Sequence, residues 1–151
     1  MFERILHLFS PVSSYRTPLP EADAKHALGA LLVRVAQADK AYLFQEVERI
    51  DRILAKRFGL NPLEAAKMRA GCERLSDEMP ETEALIAVLH DAIDIKEREA
   101  TLFALWQVVF SDGQLHEAED DMITLVRVML GVSPEVCQRL RDDARTTLSD
   151  D

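Results

Sequence analysis

An all-α single domain, a bundle of about seven helices, is what this sequence predicts, and three features predict it. Apolar residues return at helical spacing in one segment after another. The strong helix formers Ala, Leu, Glu and Arg recur throughout, whereas the β-branched and aromatic runs that build sheets are missing. Turn and cap residues fall between the segments at regular intervals. The 151 residues suit one domain, and 48% of them are apolar, which is enough for a core.

Residues 1–20 stand apart as an amphipathic segment and linker. Phe2, Ile5, Leu6 and Phe9 form an apolar stripe interrupted by Glu3, Arg4 and His7. The stripe is too short and too broken for a signal peptide or for the ~18 apolar residues of a membrane span. It reads as a short helix docked on its own domain, or as a weak anchor to a membrane surface or a partner. Ser10 to Pro20 is a Ser- and Pro-rich linker.

The helical domain spans residues 21–146. Its first helix is expected from Glu21 to Ala38, with Leu28, Leu31, Leu32 and Val35 on one face. The second, Phe44 to Phe58, presents Val47, Ile50, Ile53 and Leu54 and ends at Gly59. Asn61 caps a third helix that opens on Pro62, carries Leu63, Ala66, Ala70 and Leu75, and stops before Pro80. A fourth, Thr82 to Ile93, carries Leu85, Val88, Leu89, Ala92 and Ile93. The fifth, Ile95 to Phe110, is apolar nearly all round and is placed at the centre of the bundle. The sixth, Glu117 to Leu130, buries Met122, Leu125, Val126 and Met129 and ends at Gly131. Ser133 and Pro134 open the seventh, with Val136, Cys137, Leu140 and Ala144 inward. From Thr146 the chain is polar and expected to fray, leaving 147–151 as a tail.

An internal repeat underlies this order. The stretch KHALGALLVRVAQADKAYLFQEVERI from Lys25 aligns without gaps to REATLFALWQVVFSDGQLHEAEDDMI from Arg98, pairing Asp39 with Asp112, Glu46 with Glu119 and Ile50 with Ile123. One deletion later Gly59 pairs with Gly131 and Pro62 with Pro134. The glycine closes one helix in the left-handed conformation, and the Asn or Ser two residues on caps the next. A pseudo-twofold relation between the halves is therefore expected.

Each half carries an acidic loop, DKAYLFQE and DGQLHEAE, with an aspartate and a glutamate seven positions later. The second resembles the latter half of an EF-hand loop, but its first and third ligand positions would fall on Val108 and Phe110, and calcium takes about six to eight oxygens. It is not an EF-hand. Two readings stay open for Asp39, Glu46, Asp112 and Glu119. In one, each glutamate is the third residue of its helix and reaches back to the amide of a cap residue, Leu43 or His116, while the aspartates accept bonds from loop amides. In the other the four carboxylates bind a divalent cation such as calcium, with His116 and Asp120 as additional ligands.

An alanine-rich helix ending in A-x-A-D or S-D-G, a glutamate seven positions on, and the repetition of that pattern resemble the TerB-like domains of tellurite-resistance proteins. The pattern is similar also to the N-terminal domain of the DnaJ-type co-chaperone DjlA, and it covers about Ala22 to Ala144. The resemblance implies a bacterial all-helical domain, not known as an enzyme, associated with metal or oxyanion stress and with the inner face of the membrane. It maps the family's acidic loop positions onto Asp39, Glu46, Asp112 and Glu119. Lys40 departs from the pattern, which usually has glycine there, and its ammonium can neutralise Asp39. There is no J-domain H-P-D signature.

Motifs for catalysis are missing. The sequence has no P-loop, G-x-G-x-x-G, G-x-S-x-G or H-E-x-x-H. A di-iron bundle wants Glu-x-x-His pairs, and the nearest match is Asp23-x-x-His26, without a twin. His90 with Asp94 and His116 with Asp120 have the spacing of surface ion pairs. Cys72 and Cys137 form no C-x-x-C pair and sit among helical apolar residues, so a disulfide framework is unsupported and a reducing, cytoplasmic compartment is expected. With 27 acidic against 18 basic residues and a formal charge of −9, bulk nucleic-acid binding is excluded. The expected protein is thus a non-enzymatic module for an unidentified protein partner. An unrecognised metal-dependent enzyme and a peripheral membrane protein are the alternatives.

Overall fold

The computed structural model describes residues 19–38, 42–112 and 117–149. The amphipathic segment 2–9 and the linker up to Pro18 lie outside them. Among the described residues there are seven α-helices and no strand: α1 (Ala24–Ala36), α2 (Phe44–Phe58), α3 (Pro62–Glu78), α4 (Thr82–Ala92), α5 (Ile95–Val109), α6 (Glu117–Leu130) and α7 (Pro134–Ser149). A short 3-10 turn, Phe110–Asp112, follows α5. The fold class is the one the periodicity predicts.

The centre of the bundle is α1. Asp23 caps it by accepting from the His26 amide at 2.9 Å, so the helix begins at Ala24 rather than Glu21. Nine of its thirteen residues are buried, on nearly every side. Helices α2 to α6 all pack against it. Small residues make this close approach feasible: Ala27, Gly29, Ala30 and Ala36 leave room for neighbouring backbones. The expected single face of Leu28, Leu31, Leu32 and Val35 is therefore only part of what is buried. Helix α5 is the second central element, burying Leu102, Leu105, Trp106, Val108 and Val109 against α1, α2, α6 and α7.

Capping fixes the corners. Gly59 and Gly131 take positive φ values of 65° and 72°. Behind them, Leu60 and Val132 donate their amides to Ala55 and Arg127 carbonyls at 2.9 and 3.1 Å, closing α2 and α6. Asn61 and Glu64 cap α3 reciprocally at 2.8 and 2.9 Å, and the Ser133 hydroxyl accepts from Val136 at the start of α7. These devices recur in both halves, but the packing around them differs. Helix α2 packs along α3, whereas α6 and α7 make only marginal contact and α6 lies against α4 and α5 instead.

Three expectations shift. Leu63 is 64% exposed, because α3 turns Ala65, Cys72 and Leu75 inward. In α6 the fully buried apolar positions are Ile123, Val126 and Leu130, with Met122, Leu125 and Met129 only partly covered. Helix α7 runs to Ser149, past the expected fray at Thr146. The Thr146 and Thr147 hydroxyls donate to the Asp142 and Asp143 carbonyls and satisfy the helix surface locally.

Candidate functional site

The loop between α1 and α2 re-enters the described residues at Tyr42. Its ring packs on the core, and its hydroxyl lies against Glu73 and Arg69 of α3. Burial, and then the neighbouring Glu73 carboxylate, push that hydroxyl well above the ordinary tyrosine range, so it stays protonated. Arg69 ties the corner together, donating Nε to Asp51 at 2.6 Å and Nη1 to Glu73 at 3.1 Å. Glu46 is 1% exposed, and its Oε1 accepts from the Leu43 amide at 3.0 Å. Leucine has no side-chain acceptor, so this is the carboxylate half of a capping box. The capping role expected for Glu46 is what the structure places there.

Glu119 occupies the same third position in α6 and is completely buried. Glu117 and Asp120 share that first turn, where negative charge meets the positive end of the helix dipole. Asp112 closes the 3-10 turn, but its side chain lies outside the described residues, as do Asp39, Lys40 and His116 altogether. Among the described residues no three His, Cys, Asp or Glu side chains come together to hold a metal ion. Glu46 already commits one oxygen to a backbone amide, so a cation here would need donors from the loop aspartates.

The other candidate groups are dispersed. His26 Nδ1 meets Asp23 at 2.8 Å. His90 meets Asp91 at 3.3 Å rather than Asp94, because α4 ends at Ala92 and Asp94 instead caps α5 by accepting from Glu97 at 2.9 Å. Cys72 and Cys137 are free thiols, both buried. Burial raises the Cys72 thiol from an ordinary value near 9 to about 12, with Asp23 and Glu73 adding to the shift. The unfolded chain ionises at the lower value, so the stability held by the neutral thiol is complete below about pH 9 and is lost as pH climbs towards about 12. Urea midpoints measured between about pH 8 and 10.5 should fall less steeply for Cys72→Ala than for wild type, with Tyr42 leaving a residual slope. Parallel slopes would contradict this account.

A concave surface lies between α2 and α5, and the sequence reading missed it. Arg49, Arg52, Lys56 and Arg57 stand along one side of a groove of about 460 Å³ above Ile53 and Phe103. Arg52 pairs with Glu48 at 2.7 Å. The cations recur at helical spacing in VERIDRILAKRF, so a stripe was legible. The part of its apolar floor supplied by Phe103 of α5 was not.

A helical domain with a capped acidic corner at Glu46 and a basic groove between α2 and α5 is the class these residues define. The family described as tellurite resistance protein TerB matches residues 25–142, and the chain belongs to that family. A crystal structure of a protein of unknown function from Porphyromonas gingivalis W83 shares the fold, with a TM-score of 0.59 at 16% identity, covering 85% of this chain and 98% of the other. No curated protein matches the chain. Among the described residues no helix is long and apolar enough to cross a membrane.

Proposed function

We propose that the chain is a non-enzymatic, cytoplasmic binding module that engages a protein partner in a metal or oxyanion stress response. A divalent cation such as calcium at its acidic corners is part of this reading. The observation that carries it is the pair of buried glutamates. Glu46 and Glu119 each stand at the third position of a helix that follows an acidic loop, at 1% and 0% exposure. Such a carboxylate is costly to bury unless it is hydrogen-bonded or paired, as Glu46 is with the Leu43 amide. On this reading Asp39 and Asp112 are the groups that would meet a ligand beside these glutamates. The family's description as tellurite resistance protein TerB supports the oxyanion-stress part of the reading, and a groove of cations above apolar side chains suits a binding surface.

Two measurements test the reading. Calcium and zinc are titrated by calorimetry into wild type, into the Asp112→Ala, Glu119→Ala double variant, and into Asp39→Asn, Asp112→Asn, which keeps the buried glutamates. Heat in wild type that is lost in both variants is expected, with thermal melts verifying that each variant is folded. Equal heats in all three, or none, remove the cation. Separately, the full chain should co-purify a protein from native cytoplasm; recovery of none removes the partner.

A further inference from the structure

We infer that the groove between α2 and α5 is the partner site, and that its occupant is an acidic amphipathic segment of another protein. The inference rests on the binding-module reading above and names the chemistry of the partner. The chain carries −9, yet every charged residue lining this groove is a cation. Arg52 shares its charge with Glu48, and Arg49 also has a partner, so the open charge sits on Lys56 and Arg57. Neither of these makes a hydrogen bond or ion pair among the described residues. From Arg49 to Arg57 the cations extend roughly 12 Å along the helix at 1.5 Å per residue. A single small anion would meet only one end of that stripe. Carboxylates repeated along a peptide reach that end and can also compete with the exposed Glu48 for Arg52. The floor is apolar, with Ile53 and Phe103 both partly exposed, and gives such a segment a hydrophobic side to bury. Nucleic acid is disfavoured because the chain as a whole carries −9 and would repel its backbone.

The test uses the full chain and a labelled synthetic helical peptide of alternating Glu and Leu faces, followed by fluorescence anisotropy. Binding is expected to weaken at least about tenfold in Lys56→Glu, Arg57→Glu and to fall with added salt, since charge reversal at a complementary surface acts on both attraction and specificity. Lys56 is exposed and Arg57 half-buried in the last turn of α2, so the reversal should lower the melting temperature modestly through the helix dipole while leaving one cooperative transition. A Lys/Leu peptide should not bind, and poly-glutamate without apolar residues should bind more weakly than the amphipathic peptide. Undiminished binding by the variant overturns the assignment, as does duplex DNA binding as tightly as the peptide. Self-association that the variant abolishes would assign the groove to a second copy instead. If wild type and variant capture the same native partner equally, the groove is wrong while the binding module stands; if neither captures one, the module reading itself fails.

Discussion

Replacing Gly29 by alanine should destabilise the fold by about 1–3 kcal/mol, and valine should cost more, as overpacking of a close-packed core does. A Cβ at Gly29 would sit 2.3 Å from Cys72 Sγ and 3.2 Å from Cys72 Cβ, across the contact between α1 and α3. Both residues are buried in the core, so the sulfur has little room to retreat. Alanine is the better helix former by up to about 1 kcal/mol, and the expected net loss means that sterics outweigh propensity. A double-mutant cycle with Cys72→Ala identifies the cause. Removing the sulfur should recover part of the loss, because the two changes act on one contact. Additive effects in urea unfolding would show that the contact is not responsible, and a stabilised Gly29→Ala would refute the packing itself.

Arg34→Ala should lose about 2–4 kcal/mol, by stripping partners from several backbone acceptors at once. The guanidinium leaves α1 and joins the end of α3 to the start of α4. Nη2 donates to the Met79 carbonyl at 2.6 Å and to the Ser76 carbonyl, and Nη1 reaches the Pro80 carbonyl at 3.1 Å and Thr82 Oγ1 at 3.2 Å. These carbonyls have no successor in the helix, since α3 stops at Glu78 before Pro80. Arg34 is only partly covered, so water can replace some of the bonds, which keeps the figure below that of a fully buried network. Arg34→Lys should recover little, because one ammonium cannot span acceptors that a planar fork reaches together. Denaturation by urea and hydrogen exchange of α4 amides measure both effects. Full recovery by lysine, or a loss below about 0.5 kcal/mol for alanine, would mean the fork is not what holds this corner.

Much of the architecture was legible because it is local. The Gly59 and Gly131 stops, the Asn61 and Ser133 caps and the prolines behind them act over a few residues, and they stand where the sequence predicts. The capping reading of Glu46, one of the two the sequence leaves open, rests on the same kind of local reasoning, and the hydrogen bond from the Leu43 amide agrees with it. Leu63 shows where periodicity fails. An apolar residue in the first turn of α3 fits the stripe equally well inside or outside, and only the direction from which α1 and α2 approach decides against it. His90 and Asp94 show the same weakness at a helix end, where one residue of difference breaks the spacing.

What the sequence determined by itself is the all-helical class, the corners and the family, because each depends on contacts between near neighbours in the chain. Tertiary structure alone decided that α1 is the buried centre, that Arg34 stitches α3 to α4, and that the cations of α2 overhang Phe103 of α5. Those outcomes depend on which surfaces meet across tens of residues, and the periodicity of one helix says which face is apolar without saying what comes to cover it.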